Sequence, residues 1–516
     1  MPTRHLALAA AAALACPLPA QAPSTSVLDL DASYYFGSYA AEIDVPSGAV
    51  LLAMERGSVD FVAAGTFSGS LDFLEWTAGG GALVSETFAG AYRVSPEGQL
   101  LLDYDPSNPG TDVDSFYVDA EADVFHHARY EAEPYANSIV AVRKSSGQSN
   151  ASLSGTYRFQ AEYLELTGAA LASRSEWGAA VFDGAGSVTV SGTELSVSPS
   201  GVGTTGPVTG TVPYSVAGDG ELLVDGRPGA ISPDGEFLFF TIGDLTSSEV
   251  GLVGAVRQGA AYNHADLAGR YSLTAQAHYL GPLPLPTCQT DFGEFFLTPT
   301  GATTGTWTES GVFVDSNRNG VFPGLLNSPG GATALASNGV LTMTDPNSNF
   351  EIAFSASGRY AVGRSVEPNT NTMLLVRQCA LSGGYGGATP GTGGVDPALG
   401  MKGFPTLGNA AWAWQISRGR GGAPAILAIS LGPAPGLPAL GGLIHVDPTQ
   451  LAALPLALLG GAPGQAGAGA ASVPLPIPMD PSLADLAFFS QALVLDPAAP
   501  ADFAMSPGFL STICPF

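Results

Sequence analysis

The sequence predicts an all-β protein in which three tandem antiparallel units, each an eight-stranded, barrel-like meander, precede a β-sandwich. Three observations support this prediction. Landmark motifs recur at a spacing of more than one hundred residues, each unit contains short runs of alternating residues, and long amphipathic helical patterns are absent. A repeat of this length has the size of a small domain, because solenoid and propeller repeats span only about 20–50 residues.

Each unit opens and closes with its own landmark. The opening motif is Leu-x-Gly-x-Tyr at Leu153–Tyr157 and Leu267–Tyr271, with a looser copy around Tyr34-Tyr35. The closing landmark is an arginine after two apolar residues, and it occurs at Arg143, Arg257 and Arg377. These arginines are 114 and 120 residues apart. Between the landmarks, turns such as Asp183-Gly184 separate about eight alternating runs in the second unit, which is typical of β-hairpins.

The landmarks and the composition set the predicted domain boundaries. The segments are a signal peptide at 1–22, repeat units at 27–145, 150–259 and 265–380, a Gly-rich linker at 382–394, and a C-terminal β-sandwich module at 395–516. An alternative arrangement is also open. Three units of eight strands could form a six-bladed propeller, and the Ser232–Gly235 turn resembles those of propeller hairpins.

Charge and composition exclude several classes of function. The net charge is −27, and Lys144 and Lys402 are the only lysines. Nucleic-acid binding needs clustered Lys and Arg against phosphate, so no nucleic-acid partner is expected. No later stretch has the roughly 20 apolar residues of a membrane-spanning helix, so no transmembrane segment is expected either.

The N-terminus has the pattern of a secretory signal peptide. Arg4 and His5 precede an apolar stretch, and Ala20–Ala22 offers a cleavage site with small residues. The alternative is lipidation at Cys16. Both predict a secreted, periplasmic or cell-surface protein.

The remaining cysteines predict one disulfide. Cys288 and Cys379 bracket the third unit, and an exported protein can form such a bridge. Closing a loop of this length contributes about 4–5 kcal/mol in the chain-entropy model. Two buried thiols are the alternative. Cys514 is left over, either free or paired between molecules.

One segment has the pattern of a calcium loop. Asp315, Asn317 and Asn319 place oxygen atoms at alternate positions, with Gly320 in the sixth position. Leu326 replaces the glutamate of an EF-hand at the twelfth position, so any site is weak. The alternative is an ordinary turn, since Asx side chains bond their own backbone. Calcium is the only cofactor that any pattern in the chain indicates.

Catalytic motifs are not found in the sequence. His126-His127 would point to opposite faces of a strand, so the pair does not predict a metal site. Glu162, Glu165 and Glu176 could include a glycosidase pair, but coincidences are expected among 45 carboxylates. The protein is therefore predicted not to be an enzyme.

The C-terminal segment resembles a β-rich module that ends large exported proteins of environmental bacteria. The matching segments are Thr392–Leu399, Pro405–Ala411, Val473–Pro478, Asp480–Leu483 and Gln491–Pro497. The resemblance implies an exported or envelope setting and no chemistry.

The repeats resemble the calycin, or lipocalin-like, barrels. In that group an aromatic residue on the first strand packs under an arginine of the last strand and closes the barrel floor. The resemblance implies closure pairs of Tyr157 with Arg257, Tyr271 with Arg377, and more loosely Tyr35 with Arg143. A cation–π contact of this kind contributes about 0.5–2 kcal/mol.

Two binding functions are open at this point. The first is an exported, non-enzymatic protein of the envelope or extracellular matrix that binds an unknown surface, carbohydrate or protein ligand, or has a structural role. The second is the binding of a small apolar ligand inside calycin-like barrels. A hydrolase on a propeller is a third and weaker alternative. An apolar cavity in a barrel favours the second function, whereas filled interiors favour the first.

Overall fold

The structure is a computed structural model of the chain. It describes residues 30, 32–43, 50–62, 65–77, 79–94, 99–105, 107, 113–119, 122–127, 135–167, 170–243, 248–264, 266–279, 287–317, 320–344, 349–366, 370–378, 383–402, 405–410, 412–484 and 486–514.

Each repeat unit closes into a barrel of eight antiparallel strands, which confirms the predicted fold class and excludes the propeller. The first barrel contains β1 (Ser33–Ile43), β2 (Val50–Val62), β3 (Thr66–Thr77), β4 (Gly80–Val94), β5 (Gln99–Asp103), β6 (Val113–Val118), β7 (Val124–His127) and β8 (Tyr135–Arg143). The second contains β9 (Ser154–Thr167), β10 (Ala170–Asp183), β11 (Ser187–Val197), β12 (Gly203–Val216), β13 (Glu221–Val224), β14 (Arg227–Ile231), β15 (Phe237–Ile242) and β16 (Glu249–Arg257). The third contains β17 (Gly269–Tyr279), β18 (Thr287–Pro299), β19 (Thr304–Asn317), β20 (Gly320–Leu335), β21 (Val340–Thr344), β22 (Asn349–Phe354), β23 (Tyr360–Ser365) and β24 (Thr370–Arg377).

Local chemistry explains the hairpins. On β10, Ala180 and Phe182 are buried in the barrel whereas Val181 between them is exposed, as the two-residue period of a strand requires. The strand ends at Asp183, whose carboxylate accepts N–H bonds from Ala185, Gly186 and Ser187 at 2.8–2.9 Å. These bonds hold the pKa of the Asp183 carboxyl below its usual value. Gly184 has φ +75°, a conformation that favours glycine, so the predicted turn forms here.

A buried tyrosine closes the floor of every barrel in the same way. Tyr34, Tyr157 and Tyr271 are fully buried, and each donates its hydroxyl to a carbonyl of the turn between the sixth and seventh strands. The donor–acceptor distances are 2.6 Å to Ala122 O, 2.6 Å to Gly235 O and 3.1 Å to Gly358 O, respectively. Each bond joins the first strand of a barrel to the turn that covers its floor.

The three barrels pack head to tail in a closed ring. Strands β1 and β2 pack on β14–β16, β9–β11 pack on β23 and β24, and β17–β19 pack on β8. Each barrel therefore offers its first strands to the last strands of the next, and the third barrel returns to the first. Heterologous contacts of this kind generate rings when the rotation closes. Outward-facing apolar residues of all three barrels form one shared buried cluster.

A buried arginine joins the three barrels at their floor ends. Arg359 of the third barrel is 6% exposed. One of its Nη atoms bonds Asp119 of the first barrel at 2.5 Å, and the other bonds Asp234 of the second at 2.8 Å. Asp123 lies 3.4 Å from the same guanidinium and 2.6 Å from Arg143. One side chain thus neutralises carboxylates from two other barrels.

A second polar group lies between the barrels on their first strands. Glu162 of β9 is fully buried. Its Oε2 accepts the hydroxyl of Tyr39 from β1 at 2.7 Å, and its Oε1 lies 2.6 Å from Nδ1 of His278 on β17. These three side chains come from three barrels, and all are 0% exposed. We call them the junction triad.

The interface of the first and third barrels contains a neutral histidine. His126 of β7 is fully buried, with its ring nitrogens 2.6 Å from Thr274 Oγ1 and 2.7 Å from Ser272 Oγ of β17. Burial lowers the pKa of His126 to about 3, so the ring is uncharged at neutral pH. Its two hydrogen bonds satisfy polar atoms that would otherwise be buried alone.

The C-terminal region packs two sheets face to face. A seven-stranded sheet contains β25 (Gly383–Tyr385), β28 (Pro424–Ser430), β31 (Leu451–Ala453), β32 (Leu456–Leu458), β34 (Ala487–Leu495), β35 (Phe503–Met505) and β36 (Gly508–Thr512). A three-stranded sheet contains β26 (Ala398–Lys402), β27 (Ala413–Gly419) and β33 (Gly469–Pro474), and β29 (Pro433–Ala439) pairs with β30 (Gly442–Val446).

Single 3₁₀ turns lie at Asn150–Ser152, Thr392–Gly394, Pro481–Leu483 and Pro500–Asp502.

Aromatic rings fill the space between these sheets. The Trp414 ring centroid of β27 lies 5.1 Å from that of Phe509 and 6.2 Å from that of Phe488, both on the larger sheet. Both contacts are edge-to-face, a favoured geometry for aromatic pairs.

The structure differs from the sequence expectation at the predicted linker. Within residues 382–394, Gly383–Tyr385 form β25 and pair with β36, and Thr389 forms a bridge with Met505. Thr392 donates its N–H and its hydroxyl to the buried Asp496, each at 2.6 Å. A glycine-rich segment is flexible only where its backbone has no hydrogen-bond partners. Here the edge of the larger sheet supplies those partners.

Candidate functional site

The interior of the second barrel is arranged in layers, beginning with an aromatic floor. The ring centroids of Tyr157 and Phe182 are 5.0 Å apart, and those of Phe182 and Tyr214 are 5.1 Å apart. The Tyr214 hydroxyl bonds the carbonyl of Leu153 at 3.0 Å. The floor is therefore packed and has its polar atoms satisfied.

Above the floor, an apolar cavity of about 230 Å³ lies in the lumen. Six of the apolar side chains that line it are Phe159, Ala180, Val190, Val212, Leu238 and Val253. Gly210 also lines the cavity and contributes no side chain to fill it. We call this space the lumen cavity.

Barrel register shows why the second barrel has space here. The residue opposite the floor tyrosine on the second strand is Val59 in the first barrel, Ala180 in the second and Phe295 in the third. In the third barrel Phe295 stacks on Trp307 with centroids 5.8 Å apart, and both are buried. Alanine at the equivalent position leaves unfilled the volume that a phenylalanine ring occupies in the third barrel.

The mouth of the lumen is charged. Arg174 of β10 bonds Glu249 of β16 at 2.6 Å, and its Nε lies 3.7 Å from Glu176 and 3.8 Å from Glu194. Its guanidinium carbon lies 4.3 Å above the ring centroid of Tyr163. An amphiphile in this lumen would have apolar walls around its body and charged groups at its end.

Burial shifts the acid–base equilibria at the mouth. It raises the pKa of Glu176 and of Glu249, although Arg174 opposes both shifts. Burial also works against the charge of Arg174, but the surrounding acidic groups outweigh it and raise the Arg174 pKa. The Arg174 guanidinium therefore only partly offsets the effect of burial on the Glu176 and Glu249 carboxyls.

The predicted closure residues lie at the barrel floors. Arg257 is opposite Tyr157 on the neighbouring strand, and Arg377 is opposite Tyr271. The Arg377 guanidinium lies 5.9 Å from the Tyr271 ring centroid and bonds Asp266 O at 3.0 Å.

The closing arginine of the first barrel has a different partner from the one expected. Arg143 lies opposite Tyr34, whereas Tyr35 lies opposite Val142 and points out of the barrel. The Tyr35 hydroxyl donates to Asp219 of the second barrel at 2.6 Å, and Lys144 lies over its ring. Adjacent tyrosines point to opposite faces of a strand, so the pairing of β1 with β8 decides which one is interior.

The predicted calcium ligands are described only in part. Asp315 and Asn317 belong to β19, with backbones opposite Phe322 and Gly320. Their side chains and all of Asn319 lie outside the described residues, so the calcium site stays a prediction. Among the described residues, no three His, Cys, Asp or Glu side chains form a group that could hold a metal ion.

The predicted disulfide also falls partly outside the described residues. The Cys288 backbone lies in β18, but its side chain and the whole of Cys379 are not described. Cys514 is disulfide-bonded in the structure, which answers the open question of whether it is free.

Sequence reasoning considered Glu162, Glu165 and Glu176 only as a coincidental carboxylate set. The structure separates their roles, because Glu162 is buried between barrels, Glu165 is exposed, and Glu176 lines the lumen cavity. Arg174 and Ala180 were missed. Aligning the three units on their tyrosines does not reveal Ala180, because Val59, Ala180 and Phe295 lie 25, 23 and 24 residues after those tyrosines and become equivalent only through strand register.

Comparisons with known proteins leave the site to be interpreted from its own geometry. No protein-family model matches the chain, and no curated protein matches it. A solved structure of isotype 1 transferrin binding protein B from serogroup B Neisseria meningitidis aligns at 10% identity and a TM-score of 0.19, over 67% of this chain and 77% of that one. A protein assigned as AttH from Nitrosomonas europaea aligns at 8% identity and a TM-score of 0.15, over 70% of this chain and 99% of that one. At these TM-scores neither alignment identifies a fold or a ligand for this chain.

Within the described part of the chain, no helix is both long and apolar enough to cross a membrane.

Proposed function

We propose that the protein is a non-enzymatic binding protein whose second barrel holds a small apolar ligand. The observation that carries this proposal is the lumen cavity, with its aromatic floor, apolar walls and charged mouth. Pockets with mostly apolar walls and a few converging polar groups are the usual form of small-molecule sites. Eight-stranded barrels are just wide enough to hold one such ligand.

The cavity volume limits the size of the ligand. At about 230 Å³ it is smaller than the roughly 300–1,000 Å³ of typical drug-sized pockets. Since a water molecule occupies about 30 Å³ in the liquid, the space corresponds to roughly eight non-hydrogen atoms. A short alkyl chain or a single ring system fits, whereas a long fatty chain does not.

We expect the neutral fluorescent probe naphthalene, a single fused ring system close to the size of the cavity, to bind with a change in fluorescence, and 1-octanol to displace it. Ala180→Phe should weaken 1-octanol binding by about tenfold or more, because the new ring restores the filling seen at Phe295 in the third barrel. Overpacking costs about 1–3 kcal/mol of stability, so the variant should remain folded.

Val181→Phe is the matched control for this experiment. Val181 is the next residue on the same strand, and its side chain is exposed on the outer face. It should leave 1-octanol displacement unchanged. Equal binding by Ala180→Phe and wild type, or no 1-octanol displacement in wild type, would exclude the lumen as the site.

We also propose that the chain is exported. Support comes from the signal-peptide pattern of residues 1–22 and from the disulfide at Cys514, because stable disulfides form mainly in oxidising compartments. Expression in a bacterial host should give secreted or periplasmic protein whose N-terminus is Pro23. Recovery of uncleaved protein from the cytoplasm alone would contradict this proposal.

Peptide mapping under non-reducing conditions will identify the disulfide partner of Cys514. The ladder of β25 with β36 pairs Gly383 with Leu510, and the same register continued for four residues leads to positions 379 and 514. We therefore expect a Cys379–Cys514 peptide. Recovery of Cys288 joined to Cys379 would instead support the pairing predicted from sequence.

A further inference from the structure

The mouth of the second barrel carries more negative than positive groups. Near it are five carboxylates and two guanidiniums, which leaves a formal charge of −3. The groups are Glu165, Glu176, Glu194, Asp225 and Glu249, with Arg174 and Arg227. Glu176, Asp225 and both arginines line the cavity itself and balance in charge, so the excess comes from the three further carboxylates around them at the rim.

Arg174 has little capacity left for an anionic ligand. Glu249 holds one Nη atom at 2.6 Å, two more carboxylates lie within 4 Å of Nε, and the Tyr163 ring covers one face. An incoming carboxylate would compete with three existing acidic partners. An incoming ammonium would instead meet five carboxylates that Arg174 and Arg227 together do not neutralise.

We infer that the ligand of the second barrel has a cationic end, so that short apolar amines form its chemical class. The inference rests on the proposed function, because it assigns the charge of the ligand that the lumen cavity holds. The ammonium would lie at the carboxylate-rich mouth and the alkyl or ring portion among the apolar walls. The raised pKa values of Glu176 and Glu249 agree with this, since a nearby cation would stabilise their charged forms.

Three eight-carbon competitors that differ only in their end group test the inference. Octylamine, 1-octanol and octanoate are titrated against naphthalene at pH 7.5, where the amine is cationic and the acid anionic. Octylamine should displace the probe at a concentration about tenfold or more below that of octanoate, with 1-octanol between them. Added salt should bring the displacing concentrations of octylamine and octanoate closer together, because salt screens exposed charges. The displacing concentration of 1-octanol should not change.

Two substitutions at the mouth should change the preference in opposite directions. Glu176→Gln removes a negative charge and should reduce the ratio of octanoate to octylamine concentrations by about threefold or more. Arg227→Gln removes a positive charge and should increase the same ratio. Asp480→Asn in the C-terminal region changes the net charge as Glu176→Gln does, but far along the chain from the barrel, so it should leave the ratio unchanged.

The outcomes separate this inference from the proposed function. If 1-octanol fails to displace the probe from wild type, the lumen binds no apolar ligand and the proposed function is wrong. If 1-octanol binds but octanoate competes as well as octylamine, only the cationic preference is overturned. A ratio that shifts equally in Glu176→Gln and Asp480→Asn would also overturn it, because the preference would then reflect net charge alone.

Discussion

Arg359→Ala is expected to lower the free energy of unfolding by about 3–5 kcal/mol at pH 8, the range for removing one partner of a buried ion pair. The substitution leaves Asp119 and Asp123, both at most 2% exposed, without the guanidinium that joins them to the third barrel. The measurement is urea denaturation followed by circular dichroism. Because Arg359 also bonds Asp234, the contact of the second and third barrels should weaken as well.

The effect of Arg359→Ala should depend on pH with a defined sign. Burial, with Asp119 nearby, raises the pKa of Asp123 from 3.8 to about 7 in the fold. The folded protein therefore binds this proton more tightly than the unfolded chain, and the associated stability is lost as pH rises from about 4 to 7. Without Arg359 the Asp123 carboxyl loses a neighbouring cation and should favour its neutral form further. The variant should lose less stability at pH 5 than at pH 8.

A surface ion pair provides the control for this prediction. Arg56 lies 3.7 Å from Asp72, and both side chains are more than 30% exposed. Arg56→Ala should cost at most about 1 kcal/mol, as for other exposed pairs. Combining Asp119→Asn with Arg359→Ala should recover part of the loss. Equal effects of Arg359→Ala and Arg56→Ala would show that Arg359 does not stabilise the ring.

Glu162→Ala is expected to cost about 3 kcal/mol or more, because it removes the carboxylate that two buried polar side chains share. The Tyr39 hydroxyl and His278 Nδ1 would each lose the acceptor that now lies within 2.7 Å. A buried group deprived of its partner costs about 1–3 kcal/mol, and more when it is charged. Since the junction triad lies between barrels, the loss should appear first as weaker association of the barrels.

Limited proteolysis measures that association directly. In Glu162→Ala, cleavage should accelerate at the joint formed by residues 144–149, which connects the first and second barrels. Glu165→Ala, three residues away on the same strand but exposed, should change neither the unfolding midpoint nor the cleavage rate. If both variants behave like the wild type, the triad does not hold the barrels together.

The repeat architecture could be predicted from the sequence because its causes are local. The two-residue period of each strand and turns such as Asp183-Gly184 specify eight antiparallel strands per unit, and recurring Tyr and Arg landmarks fix where the units begin and end. The landmark on β1 was ambiguous between Tyr34 and Tyr35. The ambiguity arose because a shift of one residue reverses which face is interior.

Only the tertiary structure decided what the outer faces of the barrels do. Glu162, Ser272 and His278 alternate with apolar residues, as they would on a strand with one face in water. They are buried because a neighbouring barrel covers that face. The barrels form their closed ring through contacts between strands that are distant in sequence. The lumen cavity depends likewise on Ala180 standing where the third barrel has Phe295. That equivalence follows from strand register, which the period of the sequence does not define.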